Sequence, residues 1–127
     1  MKYDIVIRNG RVMDGTGNPW RWADVGITGD TVKAVGDLRD ADAGKTIDAG
    51  GLVVAPGFID IHSHSDFPIL IDPRGLSKIH QGVTTEVVGN CGGSAAPMNA
   101  AVKEYRKTYA RSSVPDDFEF DWESMSD

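Results

Sequence analysis

With 127 residues, 40% of them hydrophobic and 25% charged, the chain has the composition of an ordinary globular domain and the length for one real core. Its formal net charge of −6 argues against nucleic acid as a main partner, because phosphate binding wants a basic stripe and the basic residues here are scattered. No apolar run approaches the roughly 18 residues of a membrane span, and Lys2, Asp4 and Arg8 interrupt any leader, so a cytoplasmic protein with no membrane partner is expected.

Residues 3–54 read as a small β domain. Residues 3–8 alternate, with Ile5 and Ile7 on one face, and Asn9-Gly10 supplies a two-residue type I′ hairpin turn before Arg11-Val12-Met13 returns. Asp14-Gly15-Thr16-Gly17-Asn18-Pro19 forms a turn-rich loop, after which Trp20 and Trp22 are expected to pack at the edge of a thin core. Residues 23–28 and 31–36 form a second hairpin across Gly29-Asp30, although Val32 and Val35 break the alternation. Residues 40–44 are a polar turn, and short strands at 45–48 and 52–54 straddle Gly50-Gly51.

The pattern changes at Pro56-Gly57, which sets expected boundaries of 1–55 and 56–127. Residues 58–61 are a short apolar strand of the kind buried on both faces. Asp72-Pro73 then resembles an N-cap followed by proline at the first helical position, with Leu76, Ile79 and Val83 at helical spacing and Gly82 as the stop. Residues 84–89 are β-rich, which completes a strand, helix, strand unit with parallel strands. Farther on, residues 98–110 predict a helix that buries Val102, Tyr105 and Tyr109 and exposes Lys103, Arg106 and Lys107. A further helix is expected to start at Trp122 behind an Asp121 N-cap.

In such α/β units the functional residues lie just beyond the C-terminal strand ends. His62 and His64 occupy that position after the first strand, and their two-residue spacing places both imidazoles on one face. Cys91, within Val88-Gly89-Asn90-Cys91-Gly92-Gly93-Ser94, occupies it after the second. As the single cysteine it cannot close an internal disulfide, and taken alone it reads as a small buried residue, a free thiol or a nucleophile. Beside two histidines it reads as a ligand, since two imidazoles and a thiolate suit zinc with a fourth position left open. The glycines around it give either a tight turn or room for a close approach to the backbone. Asp66 either orients a histidine or bonds its own backbone, Ser63 points away from the histidines, and His80 sits on the helix without partners.

The run Ala55-Pro56-Gly57-Phe58-Ile59-Asp60-Ile61-His62-Ser63-His64, preceded by Ile7-Arg8-Asn9-Gly10, resembles the start of an amidohydrolase-superfamily enzyme. Gly82-Val83-Thr84-Thr85-Glu86-Val87-Val88-Gly89-Asn90-Cys91-Gly92 and Phe120-Asp121-Trp122-Glu123-Ser124 are similar, more narrowly, to the N-acyl-D-amino-acid deacylases. The resemblance implies an α/β fold: a (β/α)8 TIM barrel with a small β-sandwich domain, zinc held in part by His62, His64 and Cys91, and an N-acyl-D-amino acid as small-molecule substrate. It further implies that later barrel strands supply the other histidine ligands and a proton-transferring aspartate. A complete barrel needs about 250 residues, so the chain is expected to be an N-terminal fragment that does not turn over substrate alone. Two other readings are a relative of the hydantoinases, dihydroorotases or dipeptidases, against which Cys91 argues, and a truncated, non-catalytic product that associates through an exposed strand edge.

Overall fold

The computed structural model describes residues 2–109, 115 and 117–126, and divides into two compact units, Met1–Pro56 and Gly57–Asp127. The first unit is a five-stranded sheet of β1 (Lys2–Val12), β2 (Arg21–Thr28), β3 (Thr31–Gly36), β4 (Asp42–Asp48) and β5 (Val53–Val54). Their order is β3-β2-β1-β4, with β5 also on β1; β1–β2 and β2–β3 are antiparallel, whereas β4 and β5 run parallel to β1.

The expected hairpin at Asn9-Gly10 is absent, because β1 runs straight through it and the register against β2 shifts between Ile7 and Gly10. Asn9 sits at φ 60°, a backbone conformation that serves a bulge as well as a turn. Tertiary contacts decide between the two. Asp24, buried within β2, accepts the Asn9 amide at 2.9 Å, and the Asn9 side chain donates to Asp48 at 3.0 Å. Gly10 packs against β5 so closely that a Cβ would stand 2.5 Å from Val54 Cγ2, which makes it a site of close approach.

The second hairpin forms as expected, pairing Thr28 with Thr31 across Gly29 at φ 59°. The broken alternation of Val32 and Val35 has a cause: Ile27 pairs with Val32 and Gly26 with Ala34, so Lys33 is the extra residue of a bulge. The polar turn contracts to Arg39-Asp40, and β4 starts at Asp42. Trp20 and Trp22 are exposed, meeting each other edge to face at 5.6 Å instead of entering the core. That core is Tyr3, Val6, Val12, Val25 and Ala49, with the Tyr3 ring laid over Gly26.

In the second unit, β6 (Phe58–Asp60) pairs in parallel with β7 (Val83–Glu86), and α1 (Pro68–Ile71) and α2 (Leu76–Ile79) lie between them in sequence. The helix expected from Asp72 begins instead at Leu76 behind Gly75, because the Asp72 carboxylate accepts the Arg74 amide and guanidinium and closes a local turn. The helix stops earlier than expected, at Ile79 with His80 as its cap; Gly82, at φ 78°, turns the chain into β7, which Val83 opens instead of continuing the helix. Phe58 and Ile59 are 60% and 64% exposed, so β6 is not buried on both faces in the described residues.

The third helix, α3 (Ala100–Tyr109), starts where the Asn99 side chain accepts the Val102 amide at 2.9 Å. Its inward and outward residues differ from expectation: Tyr105 is exposed, whereas Arg106 donates to the Ser94 carbonyl at 2.7 Å and stacks over Phe67 at 4.4 Å. The Tyr109 side chain and Ala110 lie outside the described residues. Trp122 starts no helix, because its indole donates to the Ala95 carbonyl at 2.7 Å while the Glu123 carbonyl accepts the Met98 amide. It joins Phe67, Phe118 and Phe120 in an aromatic cluster beside buried Met98.

Asp24 accepts the amides of Asn9 and Leu38, each at 2.9 Å, and so ties the β1 bulge to the chain leaving β3. Asp24→Ala leaves both donors unmet at about 1–3 kcal/mol each. Its urea midpoint by far-UV circular dichroism should fall well below that of Asp40→Ala, a change at an exposed site.

Candidate metal centre

The β6–β7 ladder continues past both strand ends: Val87 donates to the Asp60 carbonyl at 2.8 Å and Ser63 to the Val87 carbonyl at 3.1 Å. The segment 62–64 is therefore held against the chain leaving β7. Beyond that point the β7 exit reverses sharply, with Gly89 at φ 85°, Cys91 at φ 55° and Gly92 at φ 74°. Asn90 closes the reversal, its side-chain amide donating to the Val87 carbonyl at 3.1 Å and its carbonyl accepting the Gly93 amide.

These two segments bring His62, His64 and Cys91 together. One ligand atom from each lies within 4.8 Å of the others, and all three residues are exposed. His62 Nε2 is 2.8 Å from Cys91 Sγ, and the two imidazole centroids are 5.5 Å apart. Zinc–ligand bonds of about 2.0–2.3 Å in tetrahedral geometry set ligand atoms roughly 3.3–3.8 Å apart, so side-chain adjustments of about 1 Å suffice to bring this trio around one ion. The donor set of two nitrogens and one sulfur also fits zinc, being too soft for magnesium or calcium.

Beneath the histidines lies a polar network that sequence reasoning missed. Ser63, 2% exposed, donates to Glu86 Oε1 at 2.9 Å, and Ser65 donates to the same oxygen at 3.0 Å. Lys78 of α2 reaches Glu86 Oε1 at 2.9 Å and Asp60 Oδ2 at 2.6 Å, while Asp60 Oδ1 accepts the His62 amide at 3.1 Å. Lys78, first of all, holds the Glu86 carboxyl below its ordinary value; burial opposes this, and the two serine hydroxyls add to it. Asp60 is lowered by Lys78 and then by the His62 amide, and Lys78 is raised by both carboxylates. The available signal was two acids at the ends of adjacent parallel strands with a lysine on the helix between them. Asp66 makes neither expected bond among the described residues, and His80 caps α2 at an exposed position.

The parallel strand pair thus sets a His-x-His segment and a cysteine together at its carboxyl ends, a donor arrangement suited to one metal ion. The amidohydrolase family matches residues 45–127, and the chain belongs to that family. It is 53% identical over 96 residues to an N-acyl-D-glutamate deacylase and 50% identical over 96 residues to a D-aminoacylase, both from Alcaligenes xylosoxydans xylosoxydans. Each alignment covers 76% of this chain and 20% of the relative, so the chain spans about a fifth of the curated relatives it matches. The crystal structure of N-acyl-D-glutamate deacylase from Bordetella bronchiseptica, complexed with zinc and a phosphonate inhibitor that mimics the tetrahedral intermediate, superposes with a TM-score of 0.75 at 45% identity. That match covers 81% of this chain and 22% of the other, and assigns the chain to part of the amidohydrolase fold. Among the described residues no helix is long and apolar enough to cross a membrane.

Because its folded pKa is depressed, Glu86 contributes stability above the ordinary glutamate value of 4.5 and loses it as pH falls through the lowered value. The raised Lys78 acts at the other end: its contribution is complete below 10.5 and is lost as pH climbs past its raised value. Urea midpoints measured from pH 7 down to pH 3 should therefore drop less steeply in Glu86→Gln than in the parent chain.

Proposed function

We propose that this chain forms the opening part of a zinc-dependent amidohydrolase that cleaves N-acyl-D-amino acids to a carboxylate and a D-amino acid, with His62, His64 and Cys91 as zinc ligands. The observation that carries the reading is the convergence of these three donors at the carboxyl ends of two paired parallel strands. Its chemistry matches the zinc named for the Bordetella bronchiseptica structure, and the substrate class follows the names of the deacylase relatives. A cysteine beside the histidine pair favours the deacylases over other amide hydrolases.

The same reading makes β6 and β7 the first two strands of a (β/α)8 barrel spanning residues 56–127 and beyond, with residues 1–55 contributing to a small β-sandwich domain. Two features support it. The pair is parallel, and Phe58, Ile59 and Ile61 alternate across β6 and its exit while staying exposed, as suits a strand meant to be covered on both faces. Further ligands and the proton-transferring aspartate are assigned to later strands.

Zinc, when bound, supplies a Lewis acid that polarises the amide carbonyl and activates water near neutral pH. The chain's own part is to hold and tune. Two neutral imidazoles and one thiolate leave the centre positively charged, and their placement at the strand ends leaves solvent access from one side.

Two measurements test the proposal. Cobalt(II) added to the chain should give a sulfur-to-metal charge-transfer band that Cys91→Ser abolishes, and the chain alone should release no D-amino acid. Exchanged for the matching segment of the Alcaligenes D-aminoacylase, it should support hydrolysis of N-acyl-D-amino acids that His64→Ala abolishes. Absence of the cobalt band, or hydrolysis indifferent to residues 64 and 91, overturns the reading.

A further inference from the structure

Glu86, Lys78 and Asp60 do work that ligand geometry alone does not explain. The segment 62–64 leaves a two-stranded ladder as loop, and its two histidines are exposed, so little apolar packing holds them. The rigidity has to come from polar contacts. Ser63 supplies the interior side of the segment: it is buried and bonded to Glu86, which leaves its neighbours His62 and His64 exposed. Ser65 continues the same face, with its hydroxyl on Glu86 Oε1 and its amide on Ser63 Oγ at 3.2 Å. On the near side of the segment, Asp60 Oδ1 takes the His62 amide.

Asp60 and Glu86 face each other across the ladder, where two carboxylates repel unless a cation lies between them. Lys78 is that cation, reaching both at 2.6 and 2.9 Å with its side chain 27% exposed. Asp60 divides its oxygens, Oδ2 to Lys78 and Oδ1 to the His62 amide, whereas Glu86 Oε1 takes Lys78 and both serine hydroxyls together.

We propose that Lys78, Glu86 and Asp60 form a clamp of positioning residues, which fixes the backbone on both sides of the histidine pair so that the two imidazoles face Cys91. The clamp rests on the reading of His62, His64 and Cys91 as zinc ligands. It touches neither ion nor substrate, and acts through Ser63, Ser65 and the His62 amide.

Zinc affinity of the purified chain, measured by competition with a chromophoric chelator, tests it. Glu86→Ala should weaken zinc binding by about tenfold or more, the scale set by groups that orient ligands. Glu86→Gln keeps an acceptor for both hydroxyls and should recover part of that loss, and Lys78→Met should fall between the parent and Glu86→Ala. Asp24→Ala lowers stability in the other unit and should bind zinc as the parent does, which separates positioning from general destabilisation. Should Glu86→Ala fail to fold, Ser65→Ala decides: a weaker site supports the clamp and an unchanged one overturns it. Parent-like affinity in Glu86→Ala and Lys78→Met, with binding still lost in Cys91→Ser, overturns the clamp and leaves the zinc reading standing. A parent chain that binds no zinc overturns both.

Discussion

The second unit depends on the parallel register that sets Asp60 opposite Glu86 at the carboxyl ends of β6 and β7. Parallel pairing brings both strand ends to one rim, and His62, His64 and Cys91 all follow the sheet at that rim. The register itself is pinned below by a close approach, since a Cβ on Gly57 would overlap the Thr84 side chain at 2.1 Å. It is pinned above by the amides of Val87 and Ser63, which carry the ladder into the loops. A slip by one residue would turn Ser63 outward and the histidines into the space below.

What the sequence made legible follows from how local the responsible physics is. The His-x-His segment, Cys91 and the Gly29-Asp30 hairpin depend on period-two alternation and turn chemistry, which act over a few residues. Asn9-Gly10 shows the limit of that reasoning. Asn9 at φ 60° takes the conformation that a type I′ turn asks of its first central residue, but Gly10 does not take the positive φ asked of the second, and the strand runs on through a bulge in place of the turn. The choice between them was made by Asp24 and Asp48, 15 and 39 residues away. Arg106 fails in the same way: a charged residue on an amphipathic helix reads as solvated until a carbonyl and a ring, Ser94 and Phe67, are known to face it.

The polar network under the histidines was invisible for a related reason. Glu86 lies in a run of Thr and Val that announces a strand, and nothing local distinguishes a solvated glutamate there from a half-buried one. Its role needs the parallel register, which places Asp60 beside it, and α2, which returns Lys78 over the strand ends. The β6 residues carry the opposite lesson. Their apolar pattern predicts burial on both faces, yet Ile59 is 64% exposed, so the pattern reports what the strand is suited to rather than what covers it among the described residues.

Cys91 combines a side chain and a backbone that do not favour each other. At φ 55° it occupies a conformation that carries a cost of roughly 1 kcal/mol for a residue with a Cβ and almost none for glycine. Gly89 and Gly92 on either side of it adopt positive φ at no such cost. A loop of this shape would form more readily with glycine at all three positions, so the fold gains nothing from the cysteine there. What the position gains is a sulfur turned back toward the β6 exit, 2.8 Å from His62 Nε2. Backbone strain at one residue, in a loop otherwise built of permissive ones, supports the proposed ligand role of that side chain. The geometry it holds is a thiol within reach of two imidazoles.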